Sequence, residues 1–178
     1  MANRGGRSLK IADKAAIERE MGQVERLGAR YLLIGSSQYP AILAEMENAP
    51  PALIVRGNID LLRQNLVAIV GARNASAGAC RFARGLAYDL SSAGLPVVSG
   101  LARGIDTAAH VGALDTGTIA VIAGGIDVTY PPENSELQAT IGDRGLLVAE
   151  MPPGTEPRAH HFPHRNRIIA GLSLGTLV

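Results

Sequence analysis

The chain has 178 residues, 47% of them apolar, 19% charged and 3% aromatic, with no tryptophan and a formal net charge of +1. That length supports one buried core, and with no 18-residue apolar run the chain reads as soluble, without a membrane segment. A lone cysteine, Cys80, rules out an intrachain disulfide or a cysteine-based zinc site and suits a reducing cytoplasm, while near-neutral charge leaves any polyanion site to local clustering.

The opening MANRGGRSLK is basic but has no apolar stretch behind it, so it reads as an exposed tail rather than a secretory leader. Ile11, Ala15, Ala16, Met21, Val24 and Leu27 recur at mostly helical spacing, and residues 11–30 predict a helix stopped by Gly28. From Tyr31 to Gly57 the runs YLLIG, YPAILAEM and APPALIVRG are interrupted by Pro40, Pro50 and Pro51. Residues 1–60 are therefore expected to form an amino-terminal helix and a small cap or linker region.

From Leu66 the rhythm becomes regular. Apolar runs LVAIV (66–70), LPVVS (95–99), TIAVIAG (118–124), GLLVAE (145–150) and GTLV (175–178) alternate with helices predicted at 78–93, 106–114, 135–141 and 165–172. Such alternation predicts an α/β fold over residues 61–178: an extended Rossmann-like, doubly wound, mainly parallel sheet with helices on both faces. Right-handed crossovers then place every strand carboxyl end along one edge, where ligands of such sheets bind. GTLV stops in mid-strand, so the domain is expected to be incomplete at its carboxyl end, with an unprotected last strand.

Four turns fall on that edge: GARNASAG (71–78), SGLARGID (99–106), GGIDVTYPPEN (124–134) and AEMPPG (149–154). Glycine permits close backbone approach, and helix amino termini aim partial positive charge outward, so turns of this kind suit anions. A dinucleotide fingerprint fails on spacing. It needs glycines at 71, 73 and 76 and an acid closing the second strand, where this chain has Gly71, Arg73, Ser76 and VVSG. Arg73 instead puts a guanidinium fork where a phosphate would approach, with Ser76 and the helix amides behind it. Because Lys10 and Lys14 are the last lysines, a Walker-type or Schiff-base lysine is excluded from the main domain. A high-GC genome would give the same arginine bias.

In the second turn Ser99, Gly100 and Arg103 offer a hydroxyl, a close-approach glycine and another cation. Asp106 reads as a helix cap; a general-base pair with His110 is the competing reading. The stretch RAHHFPHRNRIIAGLS gathers Arg158, His160, His161, His164, Arg165 and Arg167. Three histidines suggest a metal, but Pro163 is expected to interrupt the helix that would align them and no carboxylate lies among them. A cationic helix start for polyanion contact is preferred, with no metal or cofactor.

Taken together, YP (39–40), PPALIVRGN (50–58), VAIVGARNASAGACRFA (67–83), VVSGLARGIDTAAHVGAL (97–114), TIAVIAGGIDVTYPPEN (118–134) and FPHRNRIIAGLS (162–173) closely resemble the DNA processing protein A family, also called DprA or Smf. The resemblance implies an extended Rossmann-like domain that binds single-stranded DNA without base specificity, often as a homodimer, and helps load the RecA recombinase in natural transformation. It also implies a DNA pocket built from Gly71, Arg73, Ser76, Ser99, Gly100, Arg103, Tyr130, Asn134, Arg165, Asn166 and Arg167. No helix-hairpin-helix-like front domain or winged-helix module is evident, and the lysines common around the groove of relatives are absent.

Residues 61–178 carry nine arginines against nine acids, so DNA binding would rest on focused local charge. Few aromatics mean no stacking platform of the OB-fold or RRM kind, leaving about two to four phosphate contacts, each worth a salt slope of roughly 0.7. The competing class is a nucleotide or nucleoside-phosphate hydrolase on a related scaffold. Its glycine-rich turn, threonine and catalytic glutamate match GGIDVTYPPEN poorly, and a purely structural interaction domain does not account for four polar turns on one edge.

Overall fold

The computed structural model describes residues 13–178; the expected basic tail and Ile11, the first position of the predicted amino-terminal helix, lie outside them. In chain order the elements are α1 (Lys14–Arg26), β1 (Arg30–Leu33), α2 (Ala41–Ala44), β2 (Ala52–Gly57), β3 (Val67–Ile69) and α3 (Ala77–Ser92). Then follow β4 (Val97–Ser99), α4 (Ile105–Ala113), β5 (Thr118–Gly125), α5 (Ser135–Arg144), β6 (Leu146–Met151), α6 (His161–Leu172) and β7 (Gly175–Leu177).

The described residues form one seven-stranded sheet in the order β1-β2-β6-β5-β4-β3-β7. β6, β5, β4, β3 and β7 run parallel, and β2 and β1 add antiparallel to the outer side of β6. The α/β architecture and the mainly parallel sheet are thus those expected from the strand rhythm. The stretch from Tyr31 to Gly57, expected as cap or linker, supplies those two antiparallel strands together with Arg30, the last residue of the predicted helix. Their prolines mark element starts: Pro40 precedes α2 and Pro51 precedes β2, positions where a missing N–H takes nothing from the ladder.

Alternation with a period of two divides the side chains between two buried faces. Val98, Ile119, Val121, Leu146 and Val148 face one way, packing with Leu43, Ile168, Ile169 and Leu172 of α2 and α6. Ala120, Ile122, Leu147 and Ala149 face the other way, against Val24 of α1 and Ile141 of α5. On that same face Val97 and Ile69 meet Ala87 of α3 and Ala109 and Ala113 of α4. Burial on both sides explains why the central strands read as unbroken apolar runs. Among the described residues no helix is long and apolar enough to cross a membrane.

Helix ends follow local chemistry. Gly28 adopts φ +66° one residue after the C-cap of α1, and Gly94 adopts φ +84° just past α3. Helix α6 begins at His161, four residues before the predicted Arg165, and Pro163 lies inside its first turn. The expected interruption does not occur, because a first-turn proline lacks only an N–H that has no intrahelical acceptor.

Candidate nucleic-acid interface

The turns after β3, β4, β5 and β6 leave the carboxyl ends of parallel neighbours and therefore share one edge. They are packed backbone to backbone. Gly104, at φ +76°, lies against the carbonyls of Ala72 and Arg73 so closely that a Cβ would overlap them. Ile105 N–H donates to Ala72 O at 3.3 Å. Leu101 also has a positive φ, 56°, and is fully buried. A leucine there is strained, and surrounding contacts hold it: its carbonyl accepts from Asn134 Nδ2 at 2.9 Å, and the same nitrogen donates to Thr107 Oγ1 at 2.9 Å.

Asp106, in the first turn of α4, ties two of these turns together. Its Oδ1 accepts from Gly71 N–H at 3.3 Å, and its Oδ2 accepts from Gly100 N–H at 3.1 Å and Ala102 N–H at 3.4 Å. The predicted acid-at-a-cap is therefore a bridge between turns. The competing pairing with His110 is not formed. His110 is completely buried, and its Nδ1 meets Thr118 Oγ1 at 2.7 Å. Burial, followed by the Arg165 charge, pushes its pKa down to about 3, so the ring is neutral near pH 7.

Arg165 reaches up from α6 beneath the second turn. Only 6% exposed, it donates from Nη1 to Gly100 O and to Val121 O, and from Nε to Asn166 Oδ1 at 3.2 Å. Gly100 must be glycine, because a Cβ would overlap the Arg165 guanidinium. Burial lowers the Arg165 pKa to about 10, against the favourable charge of Asp106 and with a smaller contribution from Arg73. It stays a cation at neutral pH, and its charge lies inside the edge rather than on it.

Arg73 is the outward counterpart. Exposed, and with no hydrogen bond or ion pair among the described residues, its guanidinium carbon stands 5.4 Å from the Phe162 ring centroid, a cation–π arrangement. Phe162 in turn meets Tyr130, which is 48% exposed, at 5.6 Å between centroids and 52° between planes. Arg73, Gly100, Arg103, Tyr130, Phe162 and Arg165 line a small cleft. A register shift between Ile122 and Gly125 lies at its floor, a common way to re-aim backbone beside a site. A second cleft, lined by Gly71, Asp106, Asn166 and Thr176, adjoins it, and Arg73 borders both.

The remaining predicted residues have other geometry. Ser99 is fully buried, its hydroxyl donating to Ile69 O at 2.6 Å, so it joins β4 to β3 rather than facing the edge. Asn134 is buried and holds the Leu101 turn. Ser76 caps α3, accepting from Ala79 N–H at 3.1 Å. Arg167 is half-buried and turned away, bonded to Glu150 and to Asn48 O at 2.8 Å. Arg103 is exposed but paired with Glu133 at 2.5 Å, a surface contact of small net energy. Burial and then the charges of His160, Arg158 and His164 hold the His161 pKa below the ordinary histidine range, which weakens a cationic face at the start of α6. Phe162 escaped sequence reasoning because one phenylalanine among histidines carries no spacing signal.

With this geometry in place, comparison with known proteins is specific. Residues 30–178 match the DNA recombination-mediator protein A family. DNA processing protein DprA of Streptococcus pneumoniae is 48% identical over 142 residues, 79% of this chain and 50% of that protein. Its Bacillus subtilis counterpart is 37% identical over 165 residues, 91% of this chain and 56% of that protein. In three dimensions the X-ray structure of the S. pneumoniae protein is similar with a TM-score of 0.85 at 42% identity, covering 93% of this chain and 57% of that one. A structure of Helicobacter pylori DNA processing protein A, described for its single-stranded DNA binding mode, gives 0.74 at 29% identity, covering 82% of this chain and 67% of that one. The chain spans about half the length of the curated relatives it matches. On the extent of the matched profile and the identity of these relatives, it belongs to the DNA recombination-mediator protein A family.

Proposed function

We propose that this domain grips single-stranded DNA by its phosphates, without base-sequence preference, along the carboxyl edge of the sheet. The observation that carries the reading is Arg73: a guanidinium at the mouth of two adjoining clefts, seated over an aromatic ring, with no acid partner among the described residues. A phosphate meeting that fork gains a charge-assisted bidentate contact. Tyr130 and Phe162 beside it offer ring faces to an unpaired base, which a duplex keeps within its stack. Exposed guanidiniums at the cleft are Arg73 and Arg103, so about two phosphates are neutralised per subunit, the low end of the sequence expectation.

In the whole protein the same grip serves recombination: a cytoplasmic mediator, dimeric at full length, that helps place the RecA recombinase on incoming single strands in natural transformation. The family's recombination-mediator character supports the recombination role, and the single-stranded DNA binding described for the H. pylori relative supports the choice of strand. No chemical change to the DNA is assigned. The site is tested by titrating labelled single-stranded and duplex oligonucleotides against the chain while assaying nucleoside monophosphates for base or phosphate release. Preference for single strands without turnover supports the reading; equal duplex affinity rejects it, and catalytic release rejects it in favour of the hydrolase.

A further inference from the structure

In dinucleotide-binding sheets, the amides of the first glycine turn converge on a phosphate. Here Gly71 N–H, at the start of that turn, is bonded to Asp106 Oδ1, and the next turn sends Gly100 and Ala102 N–H to Oδ2 of the same carboxylate. Asp106 is only 5% exposed, so the convergence is filled from within. Gly100 is also held from the opposite side, its carbonyl accepting from Arg165, which fixes the turn with the carboxylate in place. We propose that Asp106 is a built-in anion. It occupies the main-chain donors at the base of two edge turns, so these amides turn away free phosphate and mononucleotides and leave a polymeric ligand to the outward guanidiniums, Arg73 above all.

Two physical effects make the exclusion strong. A tethered carboxylate faces these donors at an effective concentration of roughly mM or more, which free phosphate must outcompete. Any phosphate that enters also meets the Asp106 charge at close range, without solvent between them. A strand of DNA avoids both penalties by binding further out, at Arg73. Asp106 is thus a specificity-determining residue that touches no ligand. The part of this inference that concerns DNA rests on the function proposed above; the part that concerns free phosphate stands apart from it.

The test uses the isotopically labelled full chain, wild type, Asp106→Ser and Asp106→Asn. Inorganic phosphate or AMP is added to about 20 mM against sodium chloride of matched ionic strength, a concentration that stabilises a folded variant about 20-fold if its site has millimolar affinity. In the wild type the amide resonances of Gly71, Gly100 and Ala102 stay in place. In Asp106→Ser, which frees these amides, they shift saturably with phosphate, and Asp106→Asn follows more weakly. If the serine variant is unfolded in chloride, its folding by phosphate is the supporting result. Saturable shifts in the wild type, or variants that neither shift nor fold with phosphate, overturn the inference. A parallel titration with a short oligothymidylate separates the two ideas, because a wild type that ignores both phosphate and the oligonucleotide refutes the DNA reading alone.

Discussion

His110→Asn isolates the electrostatics beneath the edge. Thr118 Oγ1 donates to Val97 O at 3.3 Å, so its 2.7 Å contact with His110 makes Nδ1–H the donor and leaves Nε2 a buried acceptor with no partner among the described residues. The asparagine carboxamide can keep the bond to Thr118 but cannot titrate. Histidine can, and its pKa falls from 6.5 to about 3 on folding. Between those values the unfolded chain holds a proton that the folded chain refuses, so stability drops as pH falls through the window and is recovered as pH rises. Comparing pH 7 with pH 5, the titration costs about 2 kcal/mol in the wild type and nothing at this position in the variant. Urea denaturation of both proteins at each pH gives the difference directly. The wild-type advantage over His110→Asn should shrink by that amount on acidification. A difference that stays constant between pH 7 and pH 5 would show that the ring titrates normally and that its surroundings are solvated.

Gly100→Ala forces a methyl into the Arg165 guanidinium, and the overpacking should cost about 1–3 kcal/mol in the same denaturation assay. Ser99→Ala removes the 2.6 Å bond to Ile69 O and should cost about 1 kcal/mol of stability, while affinity for single-stranded DNA measured by fluorescence anisotropy is unchanged. Phe162→Ala removes the ring beneath Arg73. It should weaken single-strand binding by about 1–3 kcal/mol, the range for loss of an aromatic base contact, with little change in melting temperature.

Much of the frame was legible because burial on both faces writes itself into sequence. Strands β3 to β7 appear as apolar runs between glycine turns, and α3 stops at the expected Gly94, whereas α5 runs through the expected stop at Gly142 to Arg144 and α6 closes at Ser173. β2 was hidden by Pro50 and Pro51, which look like a break but stand just before the strand, and β1 is a run of four residues too short to show a period. At the site, sequence singled out Arg73, Arg103, Tyr130 and Arg165, which the fold brings to one cleft. It could not separate the exposed Arg73 from the buried Arg165, because both are arginines beside glycine or helix signals and only packing decides which points outward. Ser99 and Asn134 share the composition of binding residues, yet their polar groups are used up inside, on Ile69 O and Leu101 O. Asp106 is a similar case. Capping chemistry was visible, but partners thirty-five and six residues earlier, at Gly71 and Gly100, are set by strand order.

The dependence of single-strand affinity on salt, compared between wild type and Arg73→Ala, addresses the central claim most directly. Two neutralised phosphates give a slope of about −1.4 in log affinity against log salt, and loss of one guanidinium halves it to about −0.7 while affinity at low salt falls steeply. An Arg73→Ala protein that binds with wild-type affinity and an unaltered slope would contradict the account.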